Sequence, residues 1–324
     1  MSAAPISVLP PASIRRAALA AATVALLHII FGAIVRISGS GMGCGVDWPT
    51  CLGYWIPPFT TRPDLAIELV HRYLAIVLFA AIVTFAVTAF RHRQHPAVGG
   101  KGGAWHAARV AVALWFAPAI FGAVTVHTKN EYWATVVHKL LAASLLAVLV
   151  AGTIRAGGLG GTAIRGLTGT RKAVGGAMGA AVMALLVVLL GGLTAKVTGA
   201  AVACVGFPLC GPGSLGGGPQ HIQLTHRVLA YLLVLHLTSL PFLFRKRQEP
   251  APMQRAAWLG MALGLLQVVW AGWMVTGGFP GVVRSLHQAT GILIWVTSFT
   301  MLYLARIASG RTVLAADRSA AATS

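Results

Sequence analysis

The segment Glu68-Leu69-Val70-His71-Arg72 stands where a polar stretch of the chain gives way to a long apolar run that ends near Ala89. At helical pitch, residues three apart share a face, so Glu68 and His71 point the same way. A carboxylate, an imidazole and a guanidinium are therefore crowded at the mouth of a membrane helix, where ionisable side chains are costly and usually functional. This placement predicts a functional site near one surface of a membrane protein.

A near copy of this segment, Gln223-Leu224-Thr225-His226-Arg227, opens another apolar run later in the chain. The copy keeps the His-Arg pair but has a neutral amide in place of the carboxylate. Because only the first site has an acid, we expect the first half to perform chemistry and the second half to hold a permanent cofactor. The alternative for Glu68 is structural, since a carboxylate in the first turn of a helix complements the macrodipole.

The composition is typical of an integral membrane protein. Of the 324 residues, 57% are hydrophobic and 10% are charged, whereas a soluble domain has roughly 25% charged residues. The apolar runs are long enough for spanning helices, which need about 20 residues each, and they are continuous, which excludes a β-barrel. The net charge of +19 is scattered over short loops, which indicates membrane topology and not a nucleic-acid-binding face.

Eight spanning helices are predicted, so the expected fold is an all-α integral membrane protein. The runs lie at about 17–37, 68–90, 107–127, 132–153, 174–196, 222–244, 256–276 and 286–308. Lys and Arg concentrate in the loops on one side, which the positive-inside rule makes cytoplasmic. We therefore expect a multi-pass protein of the cell membrane with both termini in the cytoplasm.

An internal repeat divides the chain into two halves of four helices each. Cys44 and Cys204 are 160 residues apart, and His71 and His226 are 155 apart. Because four helices return the chain to its starting side, both halves have the same orientation, and a pseudo-twofold axis along the membrane normal relates the two four-helix bundles. The predicted units are a disordered tail (1–14), the N-terminal bundle (15–156), a cytoplasmic linker (157–173), the C-terminal bundle (174–308) and a second disordered tail (309–324).

All four cysteines fall in loops on the outer side, Cys44 and Cys51 in the first loop and Cys204 and Cys210 in the third. Each loop has its own close pair, so local disulfides are the simplest interpretation, and an oxidising outer compartment fits it. A metal site is the alternative, which the absence of C-x-x-C spacing disfavours.

Four of the eleven histidines lie near the start of an even-numbered span. They are His71, His138, His226 and His287, in spans 2, 4, 6 and 8. Every even span enters from the outer side, so the imidazoles lie at similar depth, two in each half. Two imidazoles on facing helices suit bis-histidine ligation of a haem, whereas a bare zinc or copper ion would usually bring further ligands. For His28 and His236 we expect a structural hydrogen bond to a neighbouring helix.

Basic residues cluster around these histidines, and we predict that they contact haem propionates through charge-assisted hydrogen bonds. They are Arg36, Arg72, Lys139, Lys196 and Arg227, and Arg284 precedes His287 by three residues. The alternative is that they are interfacial anchors whose apolar stems lie along the membrane surface.

These segments resemble haem A synthases. The resemblance lies in Gly32-Ala33-Ile34-Val35-Arg36, in the loop from Gly41 to Cys51, in Glu68-x-x-His71-Arg72, in His138, in Thr225-His226-Arg227 and in His287-Gln288, and it covers about residues 15–308. It implies an eight-helix enzyme that oxidises the ring methyl of haem O to the formyl group of haem A through successive hydroxylations. It also implies that His71 and His138 flank the substrate haem, that His226 and His287 ligate a haem b, that Glu68 is catalytic, and that each outer-loop cysteine pair is a disulfide.

The resemblance leaves the oxidation mechanism open. An iron with two imidazole ligands has no position for oxygen, so either one ligand leaves or electrons are removed without oxygen bound at the iron. In the second case Glu68 would stabilise a carbocation that develops on the substrate.

Two other functions compete with this one. A di-haem cytochrome that only transfers electrons explains the histidines but gives Glu68 no role. A secondary transporter explains the repeat but predicts ionisable groups near mid-membrane, whereas here they crowd the outer end. The expected partners are haem O, the lipid bilayer and, by pathway adjacency, a haem O synthase, with no nucleic acid.

Overall fold

The computed structural model describes residues 9–57, 62–100 and 102–314. Within these ranges the chain forms eight long helices, namely α1 (Ala12–Ile37), α2 (Pro63–Arg91), α3 (Ala104–His127), α4 (Tyr132–Arg155), α5 (Arg171–Lys196), α6 (Gly218–Lys246), α7 (Ala251–Thr276) and α8 (Gly281–Ala308). A 3-10 helix spans Ala200–Val202. The described residues contain no strand beyond an isolated antiparallel bridge between Cys51 and Tyr54.

The prediction of an all-α membrane protein is confirmed, since each of these eight helices is long and apolar enough to cross a bilayer. Five of them end at the predicted residue, and most begin a few residues earlier than predicted. Proline at the start of α2, α6 and α7 explains part of this difference. The first turn of a helix makes no hydrogen bond through its backbone N–H groups, so proline, which lacks an N–H, is favoured there. Hydropathy alone therefore misses the polar first turns.

The boundaries of the predicted tails are partly wrong. Helix α1 begins at Ala12, and Ile14 is completely buried in the core, so these residues belong to the N-terminal bundle and not to a disordered tail. At the other end, Leu314 is also completely buried. The remaining parts of the tail predictions, residues 1–8 and 315–324, lie outside the described residues.

The helices pack as two rings of four. In the first ring α1 contacts α2, α2 contacts α3, α3 contacts α4 and α4 contacts α1, and α5 to α8 close a second ring in the same order. Between the rings, α1 packs on α8, α4 packs on α5, and α4 also contacts α8. This arrangement is compatible with the predicted pseudo-twofold axis, because exchanging the halves turns the α1–α8 contact into the α5–α4 contact.

Matching alanine stripes lie on α1 and α5. The buried alanines of α1 are Ala18, Ala21, Ala22 and Ala25, and their counterparts Ala177, Ala180, Ala181 and Ala184 are buried in α5, which also buries Ala173. Each alanine of α1 lies 159 residues before its counterpart in α5, whereas Cys44 lies 160 residues before Cys204. The second half therefore has one extra residue between α5 and its first cysteine. Small residues let helices approach closely in a bilayer, where van der Waals packing drives association.

The interior packing can be tested with two neighbouring phenylalanines of α6. Phe244 is completely buried, whereas Phe242 is 59% exposed. We expect Phe244→Ala to lower the free energy of unfolding by about 3 kcal/mol because it leaves a cavity, and Phe242→Ala, the matched control, to change it far less. Thermal unfolding in detergent measures both, and equal losses would contradict this assignment of the core.

Candidate functional site

The four histidines near the outer ends of the even helices occupy matching positions. His71 and His226 are each the ninth residue of their helices, and His138 and His287 are each the seventh. The packing places α2 and α4 at opposite corners of the first ring, and α6 and α8 at opposite corners of the second. Each bundle therefore carries its two histidines on opposite helices of its ring, at matching positions near the outer end.

In the N-terminal bundle, the His138 ring is oriented by the backbone of α3. Its Nδ1 donates a hydrogen bond to the Pro118 carbonyl over 2.9 Å. A carbonyl can only accept, so Nδ1 carries the proton and Nε2 keeps the lone pair that a metal needs. Gly122 faces the ring, and a Cβ there would lie at an ordinary contact distance of 3.5 Å from His138 Cε1.

The His71 ring packs against α1. A Cβ on Gly32 would lie only 3.0 Å from its Cε1 atom, so the glycine permits this approach. The His28 ring lies 4.4 Å away, centroid to centroid, and its Nε2 donates to the His71 carbonyl over 3.2 Å. The expected structural hydrogen bond of His28 is therefore confirmed. The Nδ1 atom of His71 is buried without a partner among the described residues.

The C-terminal bundle repeats this arrangement with different supports. A Cβ on Gly191 would lie 3.0 Å from Cε1 of His226, as Gly32 does for His71. Gln267 of α7 donates to the His287 carbonyl over 3.0 Å, and its Nε2 lies 3.3 Å from His287 Nε2. His236 contacts the Gly176 carbonyl of α5 over 2.8 Å, which confirms its expected structural role.

Sequence reasoning missed Gln267, although an amide inside an otherwise apolar span was a usable signal. A polar side chain at that depth needs a partner inside the protein. Its partner here is a predicted haem ligand, and its Oε1 is buried without a partner in the described part of the chain.

The donor set of each bundle fits a porphyrin held by two imidazoles. The Nδ1 atoms of His71 and His287 are buried without a partner among the described residues, whereas the His226 ring lies beside the backbone of Val187, as the His138 ring lies beside that of Pro118. Gly32 and Gly191 let the His71 and His226 rings pack directly against α1 and α5. Ligation itself stays a prediction.

Two disulfides close the outer loops above the bundles. One joins Cys44 to Cys51 and the other joins Cys204 to Cys210. The predicted local pairing is confirmed. The two disulfides lie at matching places, each in the loop that precedes a helix carrying the His-Arg pair.

Glu68 connects the first outer loop to α2. Its Oε2 accepts a hydrogen bond from the Cys44 N–H over 2.9 Å, and its Oε1 forms an ion pair with Arg72 over 2.6 Å. The residue is only 4% exposed. Arg72 also donates to the carbonyls of Asp47 and Thr50, over 2.8 and 2.6 Å. The acid and its cation therefore form one network with the disulfide-closed loop.

Gln223 makes the same loop contact without a charge. Its Oε1 accepts from the Cys204 N–H over 2.5 Å, and its Nε2 donates to the Ala201 carbonyl over 3.0 Å. Arg227 donates to the carbonyls of Cys204 and Gly206. In both halves, then, the arginine after the histidine binds loop carbonyls, so a propionate contact of Arg72 or Arg227 stays a prediction.

Four other cations meet between the bundles. Arg36 of α1 repels Arg284 of α8, and Lys139 of α4 repels Arg36 and Lys196. The Arg36 Nε is buried without a partner among the described residues. A cavity of about 400 Å³ opens beside this cluster, between the start of α4 and the end of α5, and Lys196 contributes to its wall. Like charges brought together in this way attract anions, although Glu131 also lines the cavity.

Comparisons with known proteins show which family the chain resembles. Residues 154–299 match the COX15-CtaA family model, described as cytochrome oxidase assembly protein. A protein named Heme A synthase from Alkalihalophilus pseudofirmus is 31% identical over 229 residues, covering 66% of this chain and 71% of that protein. Another of that name from Geobacillus kaustophilus is 26% identical over 310 residues, covering 93% and 94%.

A shorter match involves a protein of a different name. Protoheme IX farnesyltransferase from Thermus thermophilus is 39% identical over 79 residues, which cover 24% of this chain and 13% of that protein. This likeness is confined to one segment.

The loop network makes a prediction for Arg72. We expect Arg72→Gln to raise amide hydrogen exchange in residues 45–57 about tenfold or more, because losing hydrogen bonds from a charged group costs about 1.5–3 kcal/mol. Exchange measured by mass spectrometry reports both outer loops in the same sample. The third-loop peptide, held by Arg227, is the internal control and stays unchanged; equal exchange of residues 45–57 in both proteins would show that Arg72 does not hold the loop.

Proposed function

Because this chain belongs to the haem A synthase family, we propose that it is the oxidoreductase that converts the ring methyl of haem O to the formyl group of haem A by successive hydroxylations. The observation that carries this proposal is a pair of facing histidines, His71 and His138, under an outer mouth that holds the buried acid Glu68. A non-catalytic di-haem cytochrome is not favoured, since it would need no such acid.

The substrate is assigned to the N-terminal bundle and a resident haem b to the C-terminal bundle. His71 and His138 would hold haem O, and His226 and His287 would hold haem b. Support comes from Gly32 and Gly191, which let the His71 and His226 rings pack closely on neighbouring helices, and from Pro118, whose carbonyl leaves the His138 Nε2 free to bind a metal. Haem b would supply one-electron redox chemistry next to the substrate bundle.

Glu68 is proposed as the catalytic residue. It lies three residues before His71 on the same face of α2, and two donors, Arg72 and the Cys44 N–H, fix its carboxylate. A preorganised charge stabilises charge that develops in a transition state without reorganising. If the methyl carbon carries positive charge at any step of its oxidation, the carboxylate would stabilise that charge. The second bundle, with Gln223 at this place, has no such charge.

The propionates of the two haems are proposed to bind the cations between the bundles. Arg36, Lys139 and Lys196 suit this role, because they are crowded together and the described residues offer them no carboxylate partner. These cations lie where the two rings of helices contact each other. This position argues against the alternative that they are interfacial anchors facing lipid. Arg72 and Arg227 would act mainly through the loops that they hold.

The chain is a multi-pass membrane protein, and we place it in the cell membrane with both termini in the cytoplasm. The distribution of Lys and Arg over the loops supports this orientation. A haem O synthase is proposed as the enzyme that delivers the substrate. The segment shared with a farnesyltransferase of protohaem IX supports this pathway relation.

The function can be tested by product analysis. Co-expression with a haem O synthase in a host that lacks haem A should yield haem A, and Glu68→Gln should abolish it while haem binding persists. The glutamine variant is well matched, because Gln223 already makes the equivalent loop contact in the second half. Extraction and chromatography of the haems give the result.

Two outcomes would count against this assignment. The absence of both haem A and its hydroxylated precursor from the wild-type cells would argue against the enzyme. Retained conversion by Glu68→Gln would reduce Glu68 to a residue that only holds the outer loop.

The two haem sites can be separated by ligand substitution. We expect His226→Ala to lose the permanent haem b because one of its two iron ligands is gone, whereas His71→Ala should keep it. Absorption spectra of the purified variants measure haem content, and His236→Ala is a matched control on the same helix as His226. Full haem b content in His226→Ala would refute its role as a ligand.

A further inference from the structure

Lys139 belongs to the N-terminal bundle by sequence but lies at the boundary with the other bundle. It follows His138 on α4, and α4 packs against α5. A Cβ on Gly192 of α5 would lie 3.0 Å from the Lys139 Nζ. The glycine therefore makes room for an ammonium group that comes from the neighbouring bundle.

Gly191 and Gly192 place this ammonium beside the second haem site. A Cβ on Gly191 would lie 3.0 Å from Cε1 of His226, inside the C-terminal bundle. Successive residues of a helix point about 100° apart, so the two glycines let an imidazole and an ammonium approach adjoining faces of one turn of α5.

The reverse arrangement is missing from the first half. By the 159-residue spacing of α1 and α5, Ala33 corresponds to Gly192, and Gln288, after His287, corresponds to Lys139. A side chain at Ala33 closes the space that Gly192 leaves open, and Gln288 has no charge to bring. At this position, therefore, the N-terminal bundle contributes a cation to the C-terminal bundle, and the C-terminal bundle contributes none in return.

We propose that Lys139 acts across the bundle boundary, as a cation for a propionate of the haem held between His226 and His287. This inference rests on the proposed function for the presence of that haem, and it assigns a residue of the substrate bundle to the cofactor site. The surrounding cations, Arg36 and Lys196, repel Lys139, so a carboxylate bound there relieves that repulsion as well as forming a charge-assisted hydrogen bond.

The test isolates haem b in the full-length protein. In a His71→Ala background the substrate site is disabled, so the spectrum reports the second site alone. We expect Lys139→Met to shift the midpoint potential of haem b to lower values, since removing a nearby positive charge favours the ferric state. Haem b should also be released more readily, with affinity lower by about tenfold, the size of one charge-assisted contact.

Three further variants make the result specific. Lys139→Arg should restore the potential, and Lys172→Met, which removes an exposed cation at the opposite end of α5, should leave it unchanged. Gly192→Ala keeps every charge but displaces the ammonium, so it should shift the potential in the same direction as Lys139→Met.

The possible failures are distinguishable. If the His71→Ala protein binds no haem b, the proposed function itself fails. If haem b is bound and its potential and affinity are the same with Lys139→Met and Gly192→Ala, the inference is overturned, and Lys139 serves its own bundle only.

Discussion

The structure depends on one constraint, that a polar side chain inside a bilayer must find its partner within the protein. The helices satisfy their own backbones, so the remaining polar groups determine the arrangement of the bundles. His28 and His236 meet this demand with carbonyls of neighbouring helices. The Nδ1 atoms of His71 and His287 have no such partner among the described residues. These rings lie in the bundle interiors, where the other nitrogen of each ring is proposed to bind a haem iron.

The two halves show how one loop contact accommodates two functions. In each half an oxygen of the side chain three residues before the histidine accepts from a cysteine N–H, as Glu68 does from Cys44 and Gln223 from Cys204. The contact needs an acceptor and not a charge. The second oxygen of Glu68 pairs with Arg72, whereas the Gln223 amide turns to a carbonyl. A repeat can therefore lose its acid and keep its fold, which is the asymmetry expected of a catalytic and a non-catalytic bundle.

The sequence was sufficient for the features that depend on composition and spacing. Apolar runs gave the helices, close spacing gave the disulfides, and the position of His71 and its three counterparts in each helix gave the paired imidazoles. It did not give the contacts that depend on how helices face one another. Gln267 reaches His287 only because α7 packs beside α8, and Gly192 is significant only because α4 lies against α5. The sequence also did not reveal that α1 and α5 correspond at a spacing of 159 residues. The cysteines are 160 apart because the second half has one extra residue in the turn after α5.

The network around Glu68 also explains why the outer loop belongs to the active site. Glu68 is held by the Cys44 N–H, and the cation that pairs with it, Arg72, is held by carbonyls between Cys44 and Cys51. The disulfide closes that loop, so it limits where the donors can move. A buried carboxylate without such donors would be costly in a bilayer. The loop therefore makes it possible to keep a negative charge at the mouth of an apolar bundle, next to a histidine that is proposed to bind the substrate.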